Sequence, residues 1–465
     1  MSDLTVLKTS EELSIWPTDD FERILMACDP GEALEPTDSR YVDLSELRSG
    51  IGVAKLQSAL RQQVAEGKYH HCLLGGHRGS GKSTELLSLQ AWALKNGYLA
   101  IWDQVDVRYG LDDLDYSDLF LLAATMVDEK IDARNRPLLV SKLRAIISWF
   151  NDITIEDENI KQSEIGIEVG GQLGGSLPLG LGSLFAKFVA GFKGTSKHSK
   201  KVRETVRSYP TDLIRLTKDF LETANEVVKN EGAPKGILLI FDNMDRYEPA
   251  QIDSILIKSA QQIRQMACHT VFTFPISLAY KPISGKVDFE PLVILPMFPV
   301  RKKNEDWKDT VDKTIFDEKM VESLRAMLSK RIALDKLFEA PSDVVRLIKM
   351  SGGSLRDLIQ LIVLSVTSTY EGETITSKAV EMAIKELRGT YLRLLTTTPK
   401  DYLCLASYAN RISIAASETD HSEAINRLLF NGCLLEYSED GIPWYDIHPL
   451  LLETEEFRNA HAICK

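Results

Sequence analysis

The chain has 465 residues, of which 44% are hydrophobic and 26% are charged, a composition typical of globular proteins with sizeable cores. A net charge of −12 excludes a surface that binds nucleic acid over its whole extent, although a local basic patch is compatible with it. Six cysteines without a C-x-x-C pair indicate reduced thiols, not a zinc site or a disulfide framework. No basic stretch followed by an apolar run opens the sequence, which predicts no signal peptide and a cytoplasmic location.

In chain order, residues 1–40 form a weakly patterned lead-in that ends in a proline-containing loop. A helical stretch follows, and the apolar run Cys72–Leu74 then predicts a strand. The stretch Leu73–Leu87 (LLGGHRGSGKSTELL) begins within this strand and contains the complete pattern G-x-x-x-x-G-K-[ST], after which a helix is predicted. This strand–loop–helix context indicates a phosphate-binding loop, or P-loop.

The P-loop chemistry is specific. Its glycines let backbone N–H groups curl around a β-phosphate, Lys82 reaches the β- and γ-oxygens, and the Ser83 hydroxyl is a ligand of Mg²⁺. The N-terminus of the following helix faces the phosphates. The sequence therefore predicts a site for a nucleoside triphosphate with Mg²⁺. The predicted contacts are Gly76, His77, Arg78, Gly79, Ser80, Gly81, Lys82, Ser83 and Thr84.

A second strand is predicted within Gly97–Val107, followed by a helix and a long insertion over residues 132–205. The insertion contains Val169–Ala186, which carries no charge but alternates in hydrophobicity and is rich in glycine. These features favour an apolar β-ribbon over a membrane span. A basic segment, Lys187–Arg207, follows. The ribbon joined to this basic segment could dock a partner, self-associate or lie on an anionic surface. Alternatively, its apolar face packs on the protein's own core.

The apolar run Ile237–Asp242 predicts the strand that completes the nucleotide site, with Asp242 as the second residue of the Mg²⁺ shell. Asn243 follows, where an acid would activate the attacking water. An amide can orient water but cannot take its proton. Asp245 and Glu248 are nearby alternative bases. Asp245 is preferred, although it could equally pair with Arg246 or cap the next helix. We therefore expect slow hydrolysis, which suits a switch better than a motor.

Strands alternating with helices predict a mainly parallel α/β sheet covered on both faces. The expected domains are a P-loop core over 41–315, an α-helical lid over 316–395 and a C-terminal winged helix over 396–465. In the last of these, two short strands flank a turn at Asp440–Gly441.

The P-loop, the D-N-M-D-R run at residues 242–246, the SGGSLRDLI segment Ser351–Ile359 and the winged helix together resemble the AAA+/STAND ATPases. The likeness covers roughly residues 40–460 without the insertion, and is greatest to the initiator and origin-recognition branch. It extends to bacterial STAND-like ATPases of mobile-element and phage-defence loci. The resemblance implies ATP as the nucleotide and a slowly hydrolysing ATPase.

The resemblance also implies roles for individual residues. Arg356 would be the sensor-2 arginine that reaches from the lid to the γ-phosphate, and Thr273 or Ser277 would be the polar sensor-1 residue near the attacking water. The segment Tyr41–Arg48 would contact the adenine. His448 would lock the lid against the nucleotide, or would be a structural histidine. Three arginines are candidates for a trans-acting finger, with no choice among them: Arg246, Arg301 and Arg331.

The charge of the winged helix bears on its partner. Residues 391–465 hold six Lys/Arg and eleven Asp/Glu, so this module would repel phosphates. We expect a regulatory switch that forms a homo-oligomer or controls a partner effector protein, in bacterial defence against phage. The alternative is a DNA-binding, initiator-like ATPase that uses the winged helix and the basic segment.

Overall fold

A computed structural model describes residues 16–48, 52–65, 67–108, 114–131, 137–156, 204, 207–280, 289–303, 315–370, 373–395, 399–409 and 419–464. The apolar ribbon and nearly all of the basic segment lie outside these residues. In the described part of the chain, no helix is long and apolar enough to cross a membrane.

Five parallel strands form the central sheet, in the order β2-β3-β4-β1-β5. β1, β3 and β4 are buried along their whole length. Burial on both faces explains why β3 appears in the sequence as an apolar run without alternation. The strands are β1 His71–Gly76, β2 Leu99–Gln104, β3 Ile237–Asp242, β4 His269–Pro275 and β5 Leu292–Leu295. Because all five are parallel, the loops after β1, β2, β3 and β4 leave from one edge of the sheet.

Helices cover both faces of the sheet. α7 packs against α5 and α6 on one face, whereas α2 and α3 contribute apolar side chains to the core on the other. The helices of this part are α1 Phe21–Ala27, α2 Val53–Arg61, α3 Lys82–Lys95, α4 Val105–Arg108, α5 Tyr116–Ile131, α6 Pro137–Glu156, α7 Pro210–Asn230, α8 Pro249–Ile252 and α9 Ala260–Ile263, with a π-helix at Asp253–Lys258 and 3₁₀ turns at Ser45–Arg48, Met244–Arg246 and Ile276–Tyr280.

The first part of the predicted insertion is helix α6. Its side chains Leu139, Leu143 and Ile146 are fully buried in the same core cluster as the strands. This portion of residues 132–205 therefore packs on the protein's own core. The apolar ribbon, for which core packing was considered as an alternative, lies outside the described residues.

The remaining elements are mainly helical and end in a two-stranded hairpin. The lid helices are α10 Glu318–Ser329, α11 Leu334–Leu337, α12 Pro341–Met350, α13 Leu355–Thr367 and α14 Ser377–Leu394; the winged helix comprises α15 Pro399–Ala409, α16 Thr419–Phe430, β6 Leu434–Glu439, β7 Ile442–Ile447, α17 Pro449–Leu452 and α18 Glu455–Cys464. Asp440 and Gly441 form the two-residue turn between β6 and β7, with φ of 50° and 80°. This left-handed backbone is what a tight hairpin requires. The predicted fold class, a parallel α/β P-loop sheet followed by a helical lid and a winged helix, is confirmed.

Candidate nucleotide-binding site

The P-loop joins β1 to α3 at the edge of the sheet where β3 also ends. Gly81 has a left-handed backbone and caps the N-terminus of α3, so Lys82 and Ser83 lie in the first helical turn. That turn presents unpaired N–H groups and the positive end of the helix dipole. The local geometry is that of an anion site.

A pocket opens over this loop. It has four walls: the P-loop, the turn after β3, the start of lid helix α13 and the N-terminal loop Asp29–Ala33. Six of the predicted contacts line it, namely Arg78, Gly79, Gly81, Lys82, Ser83 and Thr84. The other three lie elsewhere: Gly76 ends β1, Ser80 is buried, and His77 faces the winged helix.

Lys82 is buried within its own loop. Its ammonium donates hydrogen bonds to the carbonyl oxygens of Gly76 at 2.9 Å and His77 at 2.7 Å, and pairs with the Asp245 carboxylate at 2.9 Å. Burial lowers the pKa of Lys82, and the charge of Asp245 acts in the opposite direction. Asp245, the preferred alternative base, therefore contacts the P-loop lysine directly.

The two predicted Mg²⁺ ligands are adjacent. Burial raises the pKa of Asp242, and a hydrogen bond from the Ser83 hydroxyl lowers it. Trp102 places its indole nitrogen 3.3 Å from the same carboxylate. A hydroxyl and a buried carboxylate are hard oxygen donors of the kind Mg²⁺ prefers, and a dication would offset the cost of burying that charge. These residues fit the predicted metal.

Asn243 does not stand free beside the magnesium aspartate. It has a left-handed backbone, with φ of 64°, and its side-chain nitrogen donates to Asp106 at 2.8 Å. The same Asp106 carboxylate pairs with Arg246 at 2.7 Å. Asp106 comes just after β2, which lies next to β3 in the sheet. Asp106 belongs to no sequence motif and was not predicted; the signal would have been an acid at the end of a strand neighbouring β3.

The two sensor-1 candidates contact other groups. Thr273 accepts a hydrogen bond from the backbone N–H of Met244 at 2.9 Å, which fixes the turn after β3. Ser277 is fully buried, and its hydroxyl has no hydrogen-bond partner among the residues described. Neither residue lines the pocket. A sensor-1 role for either stays a prediction.

The lid contacts the P-loop directly at Gly79. The backbone N–H of Leu355, the first residue of α13, donates to the Gly79 carbonyl at 2.9 Å. A Cβ atom at Gly79 would lie 2.5 Å from the Ser354 hydroxyl, and φ there is 84°, so glycine permits this approach. Arg356 follows and lines the pocket, half-buried. The sensor-2 role of Arg356 stays a prediction.

The three candidate trans-acting arginines all contact groups in their own chain. Arg246 and Arg331 line this chain's own pocket, and Arg331 also donates to the Ala27 carbonyl at 2.8 Å. Arg301 is buried and pairs with Asp446 of β7 at 2.8 Å.

The N-terminal loop Asp29–Ala33 lines the pocket, whereas the adenine contact was expected from Tyr41–Arg48. That segment does not line the pocket. The guanidinium carbon of Arg48 instead lies 3.9 Å from the centre of the Phe298 ring, and its Nη2 donates to the carbonyl of Ser80. Arg48 therefore stabilises the P-loop without lining the pocket. The pocket wall is Asp29–Ala33, in the region interpreted as a lead-in.

His77 connects the P-loop to the winged helix. Its Nδ1 lies 3.2 Å from the Leu429 carbonyl at the end of α16, and its Nε2 lies 2.8 Å from the backbone nitrogen of Glu436 in β6. A carbonyl only accepts and a backbone N–H only donates, so the ring is neutral, protonated on Nδ1. Burial lowers its pKa to about 3, which keeps it neutral. The neighbouring Arg78 stacks on Phe430 of the same helix at 4.4 Å.

His448 connects the winged helix to the lid. Its Nε2 lies 3.2 Å from the Asp357 carboxylate, and its ring stacks on Tyr391, whose hydroxyl donates to Asp357 at 2.8 Å. Burial opposes ionisation of Asp357, but these hydrogen bonds keep its pKa below the usual value. Asp357 follows Arg356 in α13. His448 thus holds the lid through a carboxylate, and it does not line the pocket.

No protein-family model matches the sequence. A search of curated proteins gives no match either. Among solved structures, the Orc1 protein of Aeropyrum pernix in complex with DNA is similar over 96% of each chain, at 14% identity and a TM-score of 0.37. At this identity and TM-score, the likeness supports no conclusion about the function of this chain. The described geometry itself defines the class: an α/β protein with a P-loop between the first strand and its helix.

Proposed function

We propose that this protein is an ATP-binding, slowly hydrolysing switch ATPase whose nucleotide controls the docking of its winged helix, and through it a partner protein. The P-loop, the Lys82 ammonium and the Ser83–Asp242 oxygen pair support nucleotide and Mg²⁺ binding. Adenine as the base is supported by the motif resemblance.

The observation that carries the switch is the position of His77. It lies inside the P-loop, yet both its ring nitrogens bond to the winged helix. A change in this loop therefore acts on two buried hydrogen bonds to the last module of the chain. Each such bond contributes about 1 kcal/mol, and a buried group left without its partner costs more.

Lys82 gives a physical route from phosphate to winged helix. Its ammonium holds the His77 carbonyl at 2.7 Å and the Asp245 carboxylate at 2.9 Å. A triphosphate would draw this ammonium toward the β- and γ-oxygens and weaken both contacts. The peptide that carries the His77 ring would then be released from one of its restraints.

Slow hydrolysis follows from the residues beside Asp242. Bound Mg²⁺ would neutralise charge that develops on the phosphate oxygens. Asn243 offers an amide where a base would act, and its side-chain nitrogen already donates to Asp106. An amide cannot take the proton of the attacking water, so ATP would persist long enough to act as a signal.

Contacts of α16, the helix a winged helix would place in DNA, support a protein output. α16 packs on the Ile276–Tyr280 turn, and Arg427, the single Lys or Arg between Thr419 and Phe430, pairs with Asp401. The acidic surroundings would also repel phosphates. We place the effector on another chain, with homo-oligomer formation as the second form of output. The likeness to ATPases of phage-defence loci supports an effector that acts in defence.

The test is nucleotide titration combined with mass in solution. ATP should bind the wild type and change its oligomeric mass or its capture of a partner. Lys82→Ala should lose about 2 kcal/mol or more of binding free energy, because a buried charge-assisted contact to phosphate is removed. Lys95→Ala, an exposed lysine at the other end of the same helix, is the matched control. Full ATP affinity in Lys82→Ala would refute the site.

DNA binding is the alternative outcome, and a gel shift at low salt decides it. We expect no shift, with or without ATP. A shift that weakens steeply with added salt would support the initiator-like function instead.

A further inference from the structure

We infer that Asp106 is a positioning residue for the hydrolytic end of the pocket, and that its pairing with Asn243 sets the slow rate. This inference rests on the proposed function. It is drawn from one carboxylate that contacts two pocket-lining residues at once, Asn243 at 2.8 Å and Arg246 at 2.7 Å.

The first contact fixes what Asn243 can offer to a water molecule. Its side-chain nitrogen donates to the Oδ1 atom of Asp106, so the amide oxygen is the group left to face other partners. An amide oxygen can accept a hydrogen bond from water and so orient it. It cannot remove the proton, and the water stays a weak nucleophile.

The second contact holds the positively charged side chain of Arg246 in place. The Oδ2 atom of Asp106 holds the guanidinium of Arg246, and the backbone carbonyl of Arg246 in turn accepts from Arg78 of the P-loop. The Asp106 side chain is 10% exposed, so these charge-assisted bonds are shielded from water. One carboxylate thereby sets the relative positions of an acceptor and a positive charge beside the P-loop.

Asp106 and Asn243 are a hydrogen-bonded acid and amide whose side chains can be exchanged by mutation. The acid follows β2, and the amide follows β3 directly after Asp242. Exchanging the two side chains would keep a hydrogen bond of the same type between them. It would also put a carboxylate, a group able to take a proton, beside the magnesium aspartate.

The test compares four variants with the wild type: Asp106→Ala, Asn243→Asp, the exchange Asp106→Asn/Asn243→Asp, and Asp103→Asn as a matched control. Asp103 is an acid on β2 that pairs with Arg108 and does not contact Asn243. Steady-state hydrolysis of Mg·ATP gives kcat and KM, nucleotide titration gives affinity, and thermal melting verifies folding.

Asp106→Ala should lower kcat by about tenfold or more at nearly unchanged ATP affinity, because positioning acts on the reacting geometry. The exchange should raise kcat above wild type by about tenfold or more, since a well-positioned general base contributes about 10²–10⁴-fold. Asn243→Asp alone should fall below the exchange and gain activity at a higher pH, since two adjacent carboxylates share a proton. Asp103→Asn should behave as wild type.

Two outcomes would overturn the inference: an exchange variant that folds and binds ATP but hydrolyses it no faster than wild type, or an Asp106→Ala variant with wild-type kcat. A wild type that binds no ATP would contradict the proposed function instead, so the two failures are distinguishable.

Discussion

The imidazole of His77 accepts a hydrogen bond from the backbone N–H of Glu436 at 2.8 Å, across 359 residues of sequence. The same ring reaches Leu429, and a Tyr437 hydroxyl donates to the Gly352 carbonyl at 2.7 Å. The winged helix is therefore held by the P-loop and by the residues that precede lid helix α13. A ligand that moves the P-loop relative to the start of α13 would therefore change how the winged helix is held.

Removal of the His77 ring should loosen the winged helix. His77→Ala loses two buried hydrogen bonds, a cost of about 2–3 kcal/mol, and leaves the Glu436 N–H and the Leu429 carbonyl unpaired. We expect a lower melting temperature and faster amide exchange in β6 (Leu434–Glu439). The control is His70→Ala, at the residue just before β1 and at the opposite end of that strand from the P-loop; it should leave amide exchange in β6 unchanged. Equally faster β6 exchange in the His77 and His70 variants would contradict a specific role of His77 in holding the winged helix.

Docking of the winged helix should depend on pH through Glu436. Burial raises the pKa of this 4%-exposed carboxyl from its usual 4.5 to about 7. The cost of burying its charge is absent below pH 4.5, grows between pH 4.5 and 7, and is complete above pH 7. Glu436→Gln should therefore be stabilised relative to wild type at pH 8, by up to about 3 kcal/mol, and the difference should shrink toward pH 4.5.

Melting curves of the two proteins at a series of pH values test this prediction. Taking the difference between variant and wild type removes the opposite effect of His77, whose lowered pKa makes docking cost more as pH falls below 6.5. Glu439→Gln, an exposed acid at the end of the same strand, should show no such trend. A constant Glu436→Gln difference from pH 4.5 to 8 would be inconsistent with a buried, ionisable carboxyl.

Gly353 should be intolerant of any side chain. A Cβ atom there would lie 1.9 Å from the Phe298 carbonyl oxygen, and its φ is 82°. Gly353→Ala should cost about 2 kcal/mol or more and displace the start of α13. Gly389→Ala, inside helix α14 with nothing within 4 Å of its Cβ position, should gain about 0.5–1 kcal/mol. Chemical denaturation of both variants separates a specific close approach from a general preference for alanine in helices.

Arg356 should act on hydrolysis more than on binding. A guanidinium that reaches the pocket from the lid stabilises charge on the terminal phosphate, so Arg356→Ala should lower kcat by about 10- to 100-fold and affect ADP affinity little. Arg393→Ala, an exposed arginine in the last turn of α14, is the control. Equal loss of ADP and ATP affinity would point to general electrostatics in place of γ-phosphate sensing.

The sequence was sufficient to predict those structural elements whose conformation is determined by residues close to one another in the chain. The P-loop glycines, the apolar strand that ends at Asp242 and the turn at Asp440–Gly441 each satisfy a local requirement of backbone geometry or burial. These elements were predicted and are present. The parallel sheet follows from their alternation with helices.

The contacts that define the site's behaviour depend on tertiary structure and could not be predicted locally. His77 bonds to backbone atoms 352 and 359 residues away, and backbone atoms have no side-chain identity to recognise in a sequence. Asp106 lies 137 residues before Asn243 and reaches it because β2 and β3 are neighbours in the sheet. Likewise, the loop Asp29–Ala33 has no motif and becomes a pocket wall through packing.

Hydrogen–deuterium exchange of the Cys433–Tyr437 peptide shows whether nucleotide in the P-loop releases the winged helix. This peptide contains the Glu436 amide that donates to His77. We expect a non-hydrolysable ATP analogue with Mg²⁺ to speed its exchange in the wild type and not in Lys82→Ala. Unchanged exchange in a wild-type protein saturated with the analogue would show that nucleotide does not release the winged helix.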